Sequence, residues 1–570
     1  MTTLENIPLS KDLSIVLGGQ AGQGIQTIEH ILVRVLKRSG FHVFATKEYM
    51  SRIRGGSNSI TIRVSSEPVA APVDRIDILV PLDLAVFGHL EGRIGPDTLI
   101  LGDADHLDPG VPMTHVPISG IAKEAGGRIY QNTAAAGLLA GVIGADPEIL
   151  SRTVKGQFSG KDEKTIIHNL DAALKGYETG RSLRSDGTIS FKVASGKDVD
   201  DHLMINGAEA VAMGALAGGC NFVSSYPMSP STGVLTFLAS QDEEFGIVVE
   251  QAEDEIAAVN MALGAWFAGA RAMVTTSGGG FALMEEGISL AGVMESPLVI
   301  HLAQRPGPGT GLPTRTEQAD LQLALYAGHG EFPRIIYAPG STTEAFMLTQ
   351  QAFEAADRYQ VPVFILTDQY LMDTYYDIPP LDPGNKQPEK YIVETEDGYL
   401  RYQFTRDGIS PRGVPGFGKG LVCADSDEHD EKGHITESME VRTRMVDKRL
   451  SKERAILDHS LPAVLTGPGD FTHLLVGWGS TKKTIIEALS ASGKTDTAHL
   501  HFPQVFPVPP MARAWLEQAR KVTIIENNAT SQFGKVLQLY TGSTALGAII
   551  KYNGLPFTVE ELAEKIAELD

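Results

Sequence analysis

Five short apolar runs between residues 203 and 378, NFVSSYP, GIVVEQ, RAMVTTS, PLVIHLAQ and PVFILTD, follow a rhythm that few architectures accept. Each but the last is followed by a glycine, proline or acidic turn and then by a helical pattern. Strand and helix in alternation build a parallel sheet with helices on both faces. In such a sheet the loops at the carboxyl ends of the strands form the ligand crevice. Four of those loops are YPMSPST (226–232), EQAEDEIAAVNMALGAWFAGAR (250–271), TTSGGGFALMEEG (275–287) and AQRPGPGTGLPTRTEQADL (303–321). Together they read as the walls of one pocket.

The alternation continues on both flanks. Up to about residue 190, IDILVPLD (76–83) and DTLILGD (97–103) read as buried strands, and Asn132–Ile143 and Glu163–Tyr177 as helices. The polar stretch SLRSDGTISFKVASGKD then reads as a linker. Near the start, the apolar run Ile15 to Leu17 meets a glycine cluster, GGQAGQG. Helical spacing follows at Ile25, Ile28, Ile31, Leu32, Val35 and Leu36, with Gly40 as the stop. Glycines placed between a strand and a helix N-terminus can hold an anion. Gly19, Gly22 and Gly24, however, are spaced G-x-x-G-x-G, the reverse of the dinucleotide fingerprint. A tight turn and a ligand or partner cradle both remain open for this stretch. Residues 379–460 break the rhythm and read as an extended connector, and 461–570 resume it as a small α/β domain.

Composition narrows the function classes. A chain of 570 residues implies three or four domains. A net charge of −22 argues against binding to nucleic acid or an anionic membrane. The two cysteines, Cys220 and Cys423, lie far apart. They exclude a disulfide framework or an iron–sulfur cluster held by this chain alone, and read as buried small side chains. There is no long apolar window and no secretory pattern in MTTLENIPLSKD, so the chain reads as cytoplasmic. DSDEHDEKGH (425–434) has histidines and acids, but contiguous loop residues rarely converge on one ion. It reads as a solvated or interface loop, and no metal site is assigned to the chain. VRTRMVDKRLSKER reads as an exposed helical face.

The acids Glu250, Glu253, Asp254 and Glu255 crowd one helix start. The helix macrodipole accounts for Glu253 and Asp254. Glu255 differs, because an alanine-rich, nearly uncharged helix follows it (Ile256, Ala257, Ala258, Val259, Ala262, Leu263). Such a helix is buried on most sides, and a carboxylate at its mouth is desolvated. Glu255, followed by small residues up to Gly264, resembles the pyrimidine-domain helix of thiamine diphosphate enzymes. There, one glutamic acid hydrogen-bonds the aminopyrimidine ring. In order, YPMSPST, EDEIAAVNMALGAWFAGARAMVTTSGGG, QRPGPGTGLPTRTEQADL and VTIIENNATSQFG resemble the alpha subunit of a 2-oxoacid:ferredoxin oxidoreductase of the 2-oxoglutarate synthase type. GGQAGQGIQ and TKEYMSRIRGGSNS resemble that family's gamma domain, here fused in front.

The resemblance implies a multi-domain α/β fold. Residues 1–190 would be the gamma-like domain and 200–378 the pyrimidine-binding-type domain. After the connector, 461–570 would be a transketolase C-terminal-like domain. It implies Glu255 as the catalytic carboxyl and Ser229, Arg305 and Arg315 on the 2-oxoacid. Tyr226, Pro227, Ser277, Gly278 and Gly279 would lie on thiamine diphosphate, and Arg54, Gly55 and Gly56 near coenzyme A. Ser229 stands where the family commonly has threonine, and Gly278-Gly279-Gly280 where it usually has Gly-Pro-Gly. Asn527 matches a family motif and reads as structural. The Gly-Asp-Gly stretch that holds Mg²⁺ and the diphosphate is missing. The resemblance places it, with a [4Fe-4S] cluster, on a separate beta subunit, with ferredoxin as electron acceptor and the enzyme a dimer of alpha–beta units. The expected reaction converts a 2-oxoacid and coenzyme A to acyl-CoA and CO₂, or runs in reverse as reductive carboxylation. Pyruvate or branched-chain 2-oxoacids, and a nucleotide-binding dehydrogenase, are the alternatives.

Overall fold

Seven consecutive buried residues, Leu13 to Gly19, form most of β1 (Asp12–Gln20), the pattern of a strand covered on both faces. The computed structural model describes residues 10–20, 25–51, 56–189, 191–384, 388–544 and 546–569. Around β1 lie β2 (His42–Glu48), β3 (Ser57–Ser65), β4 (Ile78–Pro81), β5 (Leu99–Gly102), β6 (Thr114–His115) and β7 (Leu203–Asn206). The helix Ile25–Arg38 buries Ile28, Ile31, Leu32, Val35 and Leu36 against them, as their spacing requires. Helices Gln131–Ile143 and Glu163–Ser185 pack closely through glycines. A methyl on Gly137 or Gly141 would run into backbone of the second helix, and one on Gly176 or Gly180 into backbone of the first. The second helix runs on into the stretch expected to be a linker.

The expected second series appears as β8 (Phe222–Ser225), β9 (Val248–Gln251), β10 (Ala272–Thr276), β11 (Leu298–Gln304) and β13 (Pro362–Asp368). An additional short strand, β12 (Ile335–Tyr337), pairs in parallel with β13. β14 (Tyr375–Ile378) follows, but it does not extend this sheet. It pairs antiparallel with β2 and closes the first sheet in the order β6-β5-β4-β1-β3-β2-β14-β7. The third sheet uses β15 (Val464–Thr466), β16 (His473–Trp478), β17 (Thr497–Phe502), β19 (Lys521–Glu526) and β20 (Leu546–Ile550) in the order β15-β17-β16-β19-β20. β18 (Gln504–Phe506) instead joins the second sheet, ordered β18-β12-β13-β11-β10-β8-β9. The chain forms two compact units. One is built on residues up to Ile205 with Thr374–Pro380 and Thr558–Glu561, the other on the remainder. Among the described residues no helix is long and apolar enough to cross a membrane.

One expectation is overturned. The basic run VRTRMVDKRLSKER lies in the helix Met439–Asp458, but it is not simply an exposed face. Met445, Lys448, Arg449, Lys452 and Ile456 form a buried stripe. Lys448 and Lys452 reach the buried carboxylate of Glu295, at 2.5 and 2.6 Å. Burial alone would raise the Glu295 carboxyl, but the two ammonium groups hold it below the usual range. Arg449 forks onto Glu428 of the acidic loop at 3.0 and 2.8 Å, so that carboxylate is paired rather than freely solvated. His429 of the same loop is buried against Tyr402, with ring centroids 3.9 Å apart. The charges satisfy one another, which binary patterning does not register.

Removing one partner of a buried ion cluster is costly because the others stay charged in a low dielectric. Glu295→Gln is expected to lower unfolding stability by about 3–5 kcal/mol. The triple variant Glu295→Gln/Lys448→Met/Lys452→Met should recover most of that loss in denaturant titrations. An unaltered midpoint for Glu295→Gln would refute the ion-cluster account.

Candidate active site

The strand order of the second sheet reverses at β8: β9 lies on one side of it and β10 on the other. Such a switch point opens a crevice beyond the carboxyl ends of the two strands. The loop Tyr226–Ser231 leaves β8 there, and Ser277–Gly280 leaves β10. The turn after β9 delivers Glu255, and the segment after β11 delivers Arg305 to Asp320. The four loops read as one pocket in the sequence are thus carried at the same sheet edge.

Glu255 is the first residue of the helix Glu255–Phe267. Asp254 caps that helix by accepting the Ala257 N–H at 2.7 Å, which fixes the backbone next to Glu255. Glu255 is 3% exposed, and its Oε1 has no hydrogen-bond partner among the described residues. The carboxyl lies over Gly280: a Cβ built there would sit 2.5 Å from Glu255 Oε1. A Cβ on Gly278 would sit 2.5 Å from Asp320 Oδ2. At Gly279 the nearest atom is 3.9 Å away. The outer two glycines therefore make room for two carboxyl groups, while the middle position is open. Ser277 is buried, and its Oγ also lacks a partner.

Arg305 and Ser229 are brought together. Arg305 Nη1 donates to the Ser229 backbone oxygen at 2.8 Å, leaving the other guanidinium N–H groups for a further acceptor. Tyr226 and Ser229 are exposed, Pro227 is half-buried and Gly278 is partly covered. The β-carbon of Arg315 lies beside Gly554. Asn527 donates to the backbone oxygens of Lys551 and Leu555 at 3.4 and 3.1 Å, a scaffold position. Of the candidates in the first unit, Arg54 and Gly55 lie outside the described residues, as do Gly22 and Gly24. Gly56 has φ +82°, and a Cβ on it would crowd Met50.

Asp320 escaped the sequence reading. Its backbone N–H donates to Gln304 Oε1 at 3.0 Å, and Gln304 in turn donates to the Thr367 carbonyl at 3.0 Å. This ties the residue to the ends of β11 and β13. Burial, reinforced by the Glu317 charge and opposed by Arg305, pushes the Asp320 carboxyl up to about 7. Burial lowers Arg305 from its ordinary value, with Asp320 opposing. Only the motif TRTEQAD hinted at Asp320, and nothing in its spacing separates Asp320 from Glu317.

The fold places a buried carboxyl at the switch point of a mostly parallel sheet. Comparison with known proteins gives the family. Residues 213–448 match the thiamine diphosphate-binding family of pyruvate flavodoxin/ferredoxin oxidoreductases. Residues 14–179 match the pyruvate ferredoxin/flavodoxin oxidoreductase family. The alpha subunit of a 2-oxoacid:ferredoxin oxidoreductase from a Sulfolobus species is 31% identical, with 98% of this chain and 97% of the relative covered. A 2-oxoglutarate synthase subunit KorA from Archaeoglobus fulgidus is 34% identical over 57% of this chain and 88% of its own length. The 2-oxoglutarate:ferredoxin oxidoreductase of Magnetococcus marinus, solved with 2-oxoglutarate, coenzyme A and succinyl-CoA bound, superposes with TM-score 0.90. It is 30% identical, with 98% of this chain and 99% of that one covered. The chain belongs to the 2-oxoacid:ferredoxin oxidoreductase family and matches one of its alpha subunits over almost its whole length. That membership replaces the dehydrogenase alternative.

The raised Asp320 pKa gives a signed expectation for the cofactor-free protein. The unfolded chain releases this proton near pH 4, the folded chain near pH 7. Between these values the folded state binds more protons, so stability attributable to Asp320 falls as pH rises. Asp320→Asn abolishes that loss. Its melting temperature relative to the parent should climb between about pH 4 and pH 7 and level off above. Parallel curves for the two proteins would contradict the assignment.

Proposed function

We propose that this chain is the alpha subunit of a 2-oxoglutarate:ferredoxin oxidoreductase. The reaction converts the 2-oxoacid and coenzyme A to acyl-CoA and CO₂, with electrons passed to ferredoxin. The observation that carries the reading is the Glu255 carboxyl, buried, unpartnered at Oε1 and fitted over Gly280 at the switch point. Two further buried polar atoms, Ser277 Oγ and Asp320 Oδ2, lie on the loops beside it and have no partner among the described residues. A polar heterocycle suits such a set of groups, so the residues present fit thiamine diphosphate.

When bound, thiamine diphosphate supplies the nucleophilic carbon and the electron sink that decarboxylation needs. Glu255 exchanges a hydrogen bond with its pyrimidine ring. Ser277, Gly278 and Gly279, with Tyr226 and Pro227, form the wall against which the cofactor packs. Arg305 grips the substrate's 1-carboxylate with the N–H groups that Ser229 does not use, and the Ser229 hydroxyl orients the 2-oxo group. Asp320 supplies a neutral hydrogen-bond donor below pH 7 beside the same arginine. Arg315 serves the distal carboxylate of 2-oxoglutarate. A beta subunit holds the diphosphate, Mg²⁺ and a [4Fe-4S] cluster, and two alpha–beta units associate. Arg54, Gly55 and Gly56 approach coenzyme A. Similarity to the Magnetococcus marinus enzyme supports 2-oxoglutarate over pyruvate or a branched-chain acid.

In the assembled complex, Glu255→Gln should lower kcat by about 10²–10⁴-fold while the complex still forms. Unchanged turnover would remove Glu255 from the mechanism. Initial rates on 2-oxoglutarate, pyruvate and 2-oxoisovalerate test the substrate separately. A kcat/KM at least about tenfold higher for 2-oxoglutarate is expected, the scale of one well-placed charged contact. A preference for pyruvate would overturn the substrate and leave the catalytic role of Glu255 standing.

A further inference from the structure

The first unit carries a polar cluster that the proposed reaction does not use. His42 on β2 points both ring nitrogens at carboxylates. Its Nδ1 lies 2.8 Å from Asp377 Oδ2 and its Nε2 lies 2.8 Å from Asp198 Oδ2. His202 directs its own Nδ1 at the same Asp377 oxygen, at 3.0 Å. The other Asp377 oxygen accepts the Val43 N–H at 2.8 Å, which fixes that carboxylate on β14. The side chains of His42, Asp377 and His202 are 4%, 3% and 15% exposed.

We propose that His42, His202 and Asp377 form a binding site for a transition-metal dication of the zinc type. The argument is a count of protons. A neutral imidazole has one N–H. If His42 donates it to Asp198, its Nδ1 presents a lone pair to a carboxylate oxygen. A second imidazole nitrogen faces that oxygen too. Three ligand atoms, all within 4.8 Å of one another, then converge where positive charge is needed. A proton shared among His42, His202 and Asp377 would supply it too, and Asp198, 62% exposed, is also screened by water. One dication supplies it while the ring stays neutral.

The donor set agrees with that choice. Two imidazole nitrogens and one carboxylate oxygen suit zinc, cobalt or nickel, whereas magnesium and calcium prefer all-oxygen sites. Asp198 stands in the position of an outer carboxylate that orients a metal-bound histidine through its far nitrogen. The partial exposure of His202 leaves an approach for a water as fourth ligand. Lys37, the nearby cation, is engaged with the Asp200 backbone oxygen at 2.9 Å and does not neutralise the cluster directly. The bound ion would clamp β2, β14 and the turn before β7. Asp377 lies 335 residues from His42, so no spacing motif could announce the site.

The test uses the assembled complex, treated with chelator and then dialysed against limiting zinc. Zinc and iron are counted by mass spectrometry, iron serving to normalise to the complex. Stoichiometric zinc is expected in the parent and in His202→Cys, which retains a ligand. His202→Ala should lose that zinc and the rise in melting temperature zinc confers. Asp198→Asn should weaken zinc binding by about 10–100-fold. Equal zinc in the parent and His202→Ala, with His202→Ala folded by circular dichroism, would overturn the proposal and leave a proton-bound histidine–aspartate network.

Discussion

The crevice depends on one buried glutamine. Gln318 is fully buried, and its amide and peptide groups make four hydrogen bonds to the ends of two strands of the third sheet. Its N–H donates to the Asn527 oxygen at 2.7 Å, and its Oε1 accepts the Asn527 N–H at 2.9 Å. Its Nε2 donates to the Trp478 oxygen at 2.9 Å, and its own carbonyl accepts Asn528 Nδ2 at 3.1 Å. A loop of this length has no secondary structure to hold it, so these bonds anchor its far end, two residues before Asp320. The lattice also explains why Asn527 and Asn528 occur at the end of β19 rather than in the crevice.

Two glutamates show how buried carboxyl groups divide by role. Glu526, at the end of β19, accepts from five donors: Trp478 Nε1, Asn528 Nδ2, Ser531 Oγ and the N–H groups of Phe533 and Gly534. Every lone pair has a use inside the protein, and the residue is structural. Glu255 is equally buried, yet its Oε1 has none. A buried unsatisfied polar atom costs about 1–3 kcal/mol. In the sequence the two residues look alike, each an acid at or shortly before the start of a helix. Only the count of partners separates them.

How much was legible follows from the range of the forces involved. β10, β11 and β13 could be read because a strand buried on both faces is a continuous apolar run. Glu255 could be read because its helix lacks charges to put in water. β14 could not: YYDI fits either sheet, and its pairing with β2 is decided by residues far away in the chain. The helix Met439–Asp458 was legible as a helix but not as a buried one, because burial came from Glu295 and Glu428, which local patterning ignores. Asp320 was hidden for the same reason. Its elevated pKa comes first from burial in the folded chain and only then from its sequence neighbour Glu317.

The glycines of the β10 turn join these threads. Gly278 and Gly280 are each filled, in the space a methyl would occupy, by a carboxyl from another loop. Either carboxyl would be displaced by the smallest side chain, so the turn and the acids must be considered as one device. The middle residue, Gly279, carries no such restriction. Its cost is entropic: glycine loses more backbone freedom on ordering than proline, by roughly 1 kcal/mol. The turn is nevertheless held at both ends by the packing of Glu255 and Asp320. The backbone of the turn and the places of the two acids are therefore set together.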